Sequence, residues 1–123
     1  QVVGNPGFDY YSANSEDIIV FGEAKYLSGQ NAYGSGMNQV AKFIRTKQDI
    51  SDLNDIDKFF DVKSLNAANN GEKAYSVAFS TKSTSSDRII SGKKRHKQYQ
   101  NLLKYKELIF VAVNVWIMWF KKY

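Results

Sequence analysis

One segment of the sequence, residues 17–26, constrains the fold more than any other. It reads Asp-Ile-Ile-Val-Phe-Gly-Glu-Ala-Lys-Tyr, and its four consecutive β-branched or aromatic residues predict a β-strand. Because side chains alternate between the two faces of a strand, the first half of this strand is apolar on both faces. Such a strand lies inside a sheet that is covered on both sides. The segment therefore predicts an α/β or α+β domain in which helices flank a mixed β-sheet.

Hydrophobic periodicity predicts the elements around this strand. Residues 8–13 form a short aromatic strand, and Asn-Ser-Glu at 14–16 has turn chemistry, so the two strands are expected to pair as a hairpin. A helical pattern begins at Ser35, and a second helix is predicted to begin with Ser51 as its N-cap. The apolar positions of these two helices are Met37, Val40, Ala41, Ile44, Leu53, Ile56, Phe59 and Phe60.

The second half of the chain continues the alternation of strand and helix. Residues 74–81 and 108–115 are predicted strands, and the basic stretch 93–106 between them is expected to be helical. Its apolar anchors are Tyr99, Leu102 and Leu103. The polar segments 66–72 and 83–88 are expected to be loops. The predicted order of elements is therefore β-β-α-α-β-α-β.

Length and composition limit the class of protein. The 123 residues fit a single domain covering 1–123, and a hydrophobic content of 43% supplies one core. The absence of cysteine excludes a disulfide framework and any thiolate metal site. No basic stretch followed by an apolar run stands at the start, so we expect a cytoplasmic protein without a signal peptide. The longest apolar run, residues 108–120, is too short to span a membrane, so no membrane partner is expected.

The charged residues indicate a polyanionic partner. The chain carries 17 Lys+Arg against 12 Asp+Glu, which gives a net charge of +5 and a pI near 9.3. A basic domain attracts nucleic acid without regard to sequence. The densest basic cluster is Lys-Lys-Arg-His-Lys at 93–97, for which a solvated basic turn is the alternative. The residues that we predict to contact nucleic-acid phosphates are Lys42, Arg45, Lys93, Lys94, Arg95 and Lys97.

Three residues at the open end of the predicted hairpin form a candidate catalytic centre. Glu23 and Lys25 are two residues apart, so they project from the same face of their strand. If the turn is centred near Glu16, Asp9 lies opposite Glu23, about 5 Å away at Cβ. Two carboxylates so close repel each other unless a cation lies between them, and Mg²⁺ commonly takes one or two carboxylates together with a substrate phosphate. Lys25 would then hold a water or stabilise charge on that phosphate.

Glu-x-Lys on a strand is also common as an ordinary surface charge pair, and this alternative stays open from the sequence. The position of the pair favours chemistry. It closes a strongly apolar strand, it follows Gly22 directly, and Pro-Gly-Phe-Asp stands one hairpin upstream at 6–9. A solvated charge pair has no need of these neighbours.

These residues resemble the signature of a known superfamily. Pro-Gly-Phe-Asp at 6–9, thirteen intervening residues and Glu-Ala-Lys at 23–25 are similar to the PD-(D/E)xK motif of restriction-endonuclease-like nucleases. Two residues separate the proline from the aspartate, a loose form that many members show. The resemblance covers residues 6–47. It implies a restriction-endonuclease-like core, in which a mixed sheet is flanked by helices and the Asp and Glu-x-Lys lie on adjacent strands of a hairpin.

The resemblance also implies an activity, which is metal-dependent hydrolysis of a phosphodiester, most simply in DNA. It implies that Asp9, Glu23 and the main-chain oxygen of Ala24 bind Mg²⁺ or Mn²⁺, and that Lys25 orients or activates the attacking water. In several branches a Gln on the following helix contributes to the site, and Gln39 occupies that place here; an ordinary solvent-facing helix residue is the alternative for Gln39. Many members carry a further acidic residue on a helix before the first core strand. This sequence begins too late to include that helix, so we expect the helix to lie in a preceding segment or to be lacking.

Three functions stay open at this point. The first is a nuclease that acts in bacterial or phage defence or in repair, where many such enzymes cut two strands as a homodimer or larger assembly; this context rests on analogy with the family. The second is a non-catalytic nucleic-acid-binding or assembly module with a nuclease-like fold. The third is a protein-interaction domain that uses Trp116 and Trp119. The presence of Asp9, Glu23 and Lys25 together favours the first, because a decayed site usually loses one of the three.

Overall fold

The computed structural model describes residues 7–25, 32–82 and 86–115. The strands are β1 Tyr10–Ala13, β2 Ile19–Lys25, β3 Ala74–Lys82 and β4 Glu107–Val115. The helices are α1 Ala32–Arg45, α2 Gln48–Ile56, α3 Val62–Asn69, α4 Ser86–Arg95 and α5 Tyr99–Leu102. A short 3₁₀ turn, Asp57–Phe59, follows α2.

The four strands form one mixed sheet in the order β1-β2-β3-β4. The pair β1 and β2 is an antiparallel hairpin, whereas β2 with β3 and β3 with β4 are parallel. Parallel neighbours require a crossover connection, and the helices α1 to α3 and then α4 to α5 lie in these two connections. The predicted α+β class with a mixed sheet is confirmed, and the finer expectation of a restriction-endonuclease-like core remains a prediction.

Both faces of β2 are covered, as its double-sided apolar pattern predicts. On one face, Phe21 packs with Tyr75 of β3 in the main core, to which α1 contributes the fully buried Met37 and Val40. On the other face, Val20 belongs to a smaller cluster that includes Ala67 of α3. This smaller cluster covers the first half of β2, near the turn of the hairpin.

The β1–β2 hairpin has the predicted turn. Asn14 Oδ1 accepts hydrogen bonds from the backbone nitrogens of Glu16 and Ile18, and Asp17 adopts a positive φ of 60°. The register pairs Ala13 with Ile19, so the turn is centred at residue 16. The strands are shorter than predicted: β1 begins at residue 10 rather than 8, and β2 begins at residue 19 rather than 17. Residue 26 lies outside the described part.

Gly22 is required at its place in β2, because the side chain of Tyr10 lies directly over it. A Cβ at Gly22 would overlap the Tyr10 ring, which crosses to the next strand and places its hydroxyl 2.7 Å from Ser76 Oγ. The glycine before Glu23 is thus explained by close packing of an aromatic ring.

Several predicted boundaries in the first half are wrong. The second helix begins at Gln48, not after Ser51, because Lys47 takes a left-handed conformation that ends one helical segment and allows the next to start at once. Phe59 was expected on the apolar face of this helix but is 71% exposed. The reason is that α2 ends at Ile56 and the 3₁₀ turn directs Phe59 outward. Within the segment 66–72, expected to be a loop, residues 66–69 belong to α3.

The basic stretch 93–106 is not one helix. α4 starts at Ser86, inside the segment expected to be a loop, and ends at Arg95. After it, His96 Nδ1 accepts a hydrogen bond from the Gln98 backbone nitrogen, a local bond that competes with continued helix. Leu102 is buried as predicted, but Leu103 is 45% exposed. Residues 74–81 and 108–115 are strands as predicted.

Two expectations from the sequence concern a membrane and a protein partner. Within the three described ranges, no helix has the length and apolar character needed to cross a membrane. The tryptophans at 116 and 119 lie outside the described residues.

Candidate active site

The hairpin brings Asp9 and Glu23 together at its open end. Asp9 immediately precedes β1, and its backbone nitrogen donates to the carbonyl oxygen of Gly22 at 2.9 Å. Its side chain then reaches further along β2, where Asp9 Oδ2 accepts a hydrogen bond from the backbone nitrogen of Ala24 at 2.8 Å. The carboxylate of Asp9 thus replaces a backbone acceptor at the end of the ladder. These two bonds fix Asp9 beside Glu23, as the predicted register requires.

Glu23 is a buried acid with one unsatisfied oxygen. It lies on the core side of β2, opposite Val77 of β3, and is only 5% exposed. Glu23 Oε2 is 3.5 Å from Lys25 Nζ. Glu23 Oε1 is buried and has no hydrogen-bond partner among the described residues. A buried carboxylate oxygen without a donor is costly, so this atom calls for a proton or a cation as its partner.

The protonation of Glu23 reflects the same environment. Burial, a side-chain hydrogen bond with Asp9 and the negative charge of Asp9 together raise the pKa of Glu23 to about 7, while Lys25 opposes the shift. Two carboxylates in one site resist ionising together, so one of them keeps a proton unless another positive charge arrives. Near neutral pH the pair therefore keeps one proton in the absence of another positive charge.

Ala24 adds a third oxygen to the site. In an antiparallel ladder the N–H and C=O of one residue point to the same side, and the N–H of Ala24 points at Asp9. The carbonyl oxygen of Ala24 consequently faces the edge where Asp9 lies. Hard divalent cations such as Mg²⁺ prefer oxygen ligands and keep several waters, so two carboxylates and a carbonyl fit such an ion. In the described ranges no group of three or more His, Asp or Glu side chains could hold a metal. Water or phosphate oxygens would have to complete the ligand set.

Lys25 is held next to Glu23 by the close approach of α1. Gly36 of α1 packs against β3 so tightly that a Cβ there would collide with Val77 Cγ1, and it would lie 3.7 Å from Lys25 Cγ. The aliphatic part of Lys25 therefore lies along α1, while its ammonium stays near Glu23. This arrangement brings the third residue of the predicted centre to the other two.

Gln39 lies about one helical turn after Gly36 and is half-buried. No hydrogen bond joins Gln39 to Asp9, Glu23 or Lys25 in the described structure. Its role in the site stays a prediction.

The basic residues of α1 lie away from the centre. Lys42 and Arg45 are exposed in the last turn of α1. Because α1 begins beside Lys25, Arg45 is roughly 13 Å along the helix axis from the level of Gly36. These two side chains would meet a phosphate chain only if it extends well beyond the candidate centre.

One residue of α4, Gly92, packs at the same end of the sheet as the centre. Gly92 of α4 packs directly on the Tyr33 hydroxyl, and Tyr33 packs edge-on against Phe79 with ring centroids 5.6 Å apart. Phe79 is the β3 partner of Lys25. The exposed Lys94, Arg95 and Lys97 follow directly after Gly92.

Lys93 differs from its neighbours in the same cluster. Its ammonium lies 4.8 Å from the ring centroid of Tyr99 and 4.7 Å from that of Phe110. These cation–π contacts hold Lys93 against the protein. Packing of α4 on β4 is thus one role of Lys93, and its predicted phosphate contact remains a prediction.

Two buried acids of α2 were missed from the sequence. Asp52 Oδ2 accepts from the backbone nitrogen of Phe8 at 2.9 Å and from the Tyr11 hydroxyl at 2.6 Å. Asp49 accepts from Lys73 Nζ and from the Tyr75 hydroxyl, at 2.5 and 2.6 Å. Burial and these carboxylates raise the pKa of both tyrosines, which therefore stay protonated donors.

A signal for these acids is present in the sequence. Asp49, Asp52, Leu53 and Ile56 follow the i, i+3, i+4, i+7 spacing of one helix face, and all four are buried. If the helix is taken to begin at Gln48, both acids fall on its apolar face. If it is taken to begin after Ser51, Asp49 lies outside the helix and this pattern is lost.

A cleft of about 550 Å³ lies at the turn end of the hairpin, away from Asp9 and Glu23. It is bordered by Glu16 and Asp17 of the turn and by Lys63 and Asn66 of α3. Because the register places the turn at the far end of β2, this cleft is separate from the candidate centre.

Comparisons with protein-family models, curated proteins and solved structures found no match for this chain. A functional assignment therefore depends on the geometry of Asp9, Glu23 and Lys25.

Proposed function

We propose that this protein is a metal-dependent nuclease that hydrolyses phosphodiester bonds, most simply in DNA. Asp9, Glu23 and the Ala24 carbonyl would hold Mg²⁺ or Mn²⁺. The observation that carries the proposal is Glu23 Oε1, a buried carboxylate oxygen with no donor among the described residues, next to a second carboxylate. An acid kept for stability alone normally has its oxygens satisfied by donors. In the proposed site, Glu23 Oε1 would instead take a positive ligand as its partner.

The arrangement of Glu23 also argues against an ordinary surface charge pair. A solvated Glu-x-Lys pair would leave both side chains in water, yet Glu23 is 5% exposed and its pKa is raised to about 7. Perturbed acids with a specific charged neighbour are typical of functional sites. The proximity of Lys25 and Asp9 therefore supports a chemical role.

Each residue has a task in the proposed reaction. A divalent cation at this site would supply Lewis acidity, which polarises the scissile phosphate and makes water a better nucleophile. Asp9 is held in place by the Ala24 N–H and would bind the cation through its carboxylate. The Lys25 ammonium would orient a water or stabilise negative charge that develops on the phosphate. Lys94, Arg95 and Lys97 would hold the nucleic-acid backbone near the centre.

The experiment is cleavage of supercoiled plasmid and of single-stranded DNA with Mg²⁺ or Mn²⁺. It compares the wild type with Lys25→Ala and with the matched control Lys106→Ala. Lys106 is exposed, pairs with Glu72 at 3.5 Å and precedes β4 at the opposite end of the sheet. We expect EDTA to abolish cutting and Lys25→Ala to slow it about 100-fold or more, with Lys106→Ala unchanged.

Two results would contradict the proposal. Cutting that survives both EDTA and Lys25→Ala would come from a contaminant or from another site. A folded protein that binds DNA but never cuts it would leave the non-catalytic binding module as the function of this chain.

A further inference from the structure

We propose that Asp52 is a positioning residue for this site, which holds the chain on both sides of Asp9 and thereby fixes the Asp9 carboxylate beside Glu23. The inference rests on the proposed function, since it assigns to the metal site a residue that does not itself touch the metal or the substrate.

Asp52 contacts the polypeptide before and after Asp9. One of its oxygens accepts from the Phe8 backbone nitrogen, directly before Asp9, at 2.9 Å. The same oxygen accepts from the Tyr11 hydroxyl, two residues after Asp9, at 2.6 Å. Its other oxygen accepts from Gln48 Nε2 at 2.7 Å, within α2. Residue 9 is therefore spanned by two bonds to one carboxylate.

The segment before Asp9 lies directly against this carboxylate. A Cβ at Gly7 would lie 2.8 Å from Asp52 Oδ1 and 2.9 Å from Oδ2, so only glycine permits the approach. Phe8 itself is buried among aromatic rings, with centroids 4.9 Å from Phe43 and 5.4 Å from Phe21. Asp52 thus determines how residues 7–8 enter the hairpin.

The anchor is rigid because Asp52 belongs to the core. It is 3% exposed, and its helix is buried through Leu53 and Ile56. Asp9, by contrast, is exposed and tied to the hairpin by two hydrogen bonds. Groups that hold a metal ligand in place commonly change metal affinity or activity by about 10- to 100-fold when removed. The buried carboxylate supplies that support to Asp9.

Asp49 provides a matched control on the same helix. It is 1% exposed, lies three residues earlier and also joins α2 to the sheet, but its partners are Lys73 and Tyr75. None of its hydrogen bonds reaches β1 or residue 9. Loss of either acid weakens the packing of α2, whereas only loss of Asp52 releases the segment around Asp9.

The test measures Mn²⁺ binding to the full chain from the signal of free Mn²⁺ in electron paramagnetic resonance, so it does not depend on cleavage. For Asp52→Ala we expect the half-saturating Mn²⁺ concentration to rise about 10- to 100-fold. Asp52→Asn should stay within about 3-fold of the wild type, because its amide oxygen can still accept from Phe8 and Tyr11 while the Gln48 amide turns over. Asp49→Asn should unfold at a lower temperature yet bind Mn²⁺ as the wild type does.

Two further variants decide the matter if Asp52→Ala does not fold. Tyr11→Phe removes one hydrogen bond, and Gly7→Ala pushes the segment away from the carboxylate. Both should weaken Mn²⁺ binding by a smaller factor, about 3- to 10-fold.

Equal weakening of Mn²⁺ binding in Asp49→Asn and in the Asp52 and Tyr11 variants would overturn the inference, because it would indicate a general loosening of the fold. Wild-type binding in folded Asp52→Ala, or in folded Tyr11→Phe and Gly7→Ala, would also overturn it. A wild type that binds no Mn²⁺ would refute the proposed metal site itself, and the inference with it.

A kinetic readout separates positioning from substrate contact. At saturating DNA, the turnover of Asp52→Ala should fall at low Mn²⁺ and recover as Mn²⁺ rises. Its KM for DNA should not change, because the buried Asp52 touches no substrate. A raised KM for DNA with an unchanged Mn²⁺ dependence would contradict the positioning role.

Discussion

Glu23 is an acid at the end of an apolar strand, beside a second carboxylate, so its ionisation is coupled to folding. Its pKa is about 7 in the folded protein, above the ordinary value of 4.5. The folded chain therefore keeps a proton that the unfolded chain releases between these two values. Because the native state binds more protons in this window, stability falls as the pH rises from about 4.5 to 7. A divalent cation would replace the proton and restore stability at higher pH.

The first prediction concerns Glu23→Gln in EDTA. At about pH 8 the variant should be more stable than the wild type and should unfold at a higher temperature, since the amide cannot ionise. The expected gain in unfolding free energy is on the order of 2 kcal/mol after allowance for solvent screening. At about pH 4 the two proteins should be alike, because Glu23 is then protonated. Thermal unfolding measures both, and Glu72→Gln, at an exposed acid, is the control.

The comparison between variant and wild type isolates Glu23 from other groups. Burial lowers the pKa of His96, so His96 makes stability fall as the pH falls, the opposite direction. A Glu23→Gln variant that is less stable than the wild type at the higher pH would contradict the raised pKa of Glu23.

The second prediction concerns the packing of Tyr10 on Gly22. Gly22→Ala should cost about 1–3 kcal/mol of unfolding free energy, because the new Cβ overlaps the Tyr10 ring. In a Tyr10→Ala background the same change should cost much less, since the ring is gone. Denaturant unfolding of the wild type, Gly22→Ala, Tyr10→Ala and the double variant gives the coupling free energy between the two positions. An equal cost in both backgrounds would mean that the ring does not require glycine.

At the level of helices and strands, a buried ion pair between Asp49 and Lys73 joins α2 to the sheet. The distance from Lys73 Nζ to Asp49 Oδ2 is 2.5 Å. Removal of one partner from such a pair leaves the other charge buried, and this usually costs about 3–5 kcal/mol. Replacement of both by uncharged groups of similar size is often nearly neutral. The pair joins α2 to the residue that precedes β3.

The third prediction follows from this difference. Lys73→Met should strongly lower the unfolding free energy, and the double variant Asp49→Asn with Lys73→Met should recover most of the loss. Chemical denaturation of the two singles and the double tests it. Strictly additive losses would show that Asp49 and Lys73 do not depend on each other.

Local sequence signals predicted some elements and missed others for physical reasons. The hairpin, β3 and β4 were predicted because alternation and turn chemistry are encoded by neighbouring residues. α3 was missed because its second half is polar, although Asp61 accepts from the Ser64 backbone nitrogen as an N-cap. The start of α2 was misplaced because Ser51 has the chemistry of a cap, while a left-handed lysine at position 47 carries no such signal.

The same distinction applies to the site. Asp9, Glu23 and Lys25 were brought together by hairpin register, a short-range consequence of the turn. Asp52 was invisible because its partners at Phe8 and Tyr11 are 44 and 41 residues away in the chain. The partners of a buried acid are set by tertiary packing, which periodicity does not describe.

Across the molecule as a whole, two groups among the described basic residues are candidates for contact with nucleic acid. Lys94, Arg95 and Lys97 follow Gly92, which packs on Tyr33 near the site end of the sheet, whereas Lys42 and Arg45 lie in the last turn of α1. If nucleic acid is bound at the centre, the first group should contribute more to binding than the second.

The fourth prediction concerns the salt dependence of DNA binding, measured in EDTA so that no cutting occurs. Alanine at Lys94, Arg95 and Lys97 together should weaken binding and reduce the slope of log K against log salt by about 1 per lost phosphate contact. The matched control is Lys106→Ala, which should leave the slope unchanged. An unchanged slope in the triple variant would remove this cluster from the nucleic-acid interface.

The most direct measurement is anomalous diffraction from crystals soaked in Mn²⁺ above the pKa of Glu23, at about pH 8. The proposed function predicts a manganese peak at roughly 2.0–2.2 Å from carboxylate oxygens of both Asp9 and Glu23, with the Ala24 carbonyl as a further ligand. Crystals of Glu23→Gln should lack it. Wild-type crystals without a peak there, or with manganese only at other acids such as Glu16 and Asp17, would contradict the metal centre.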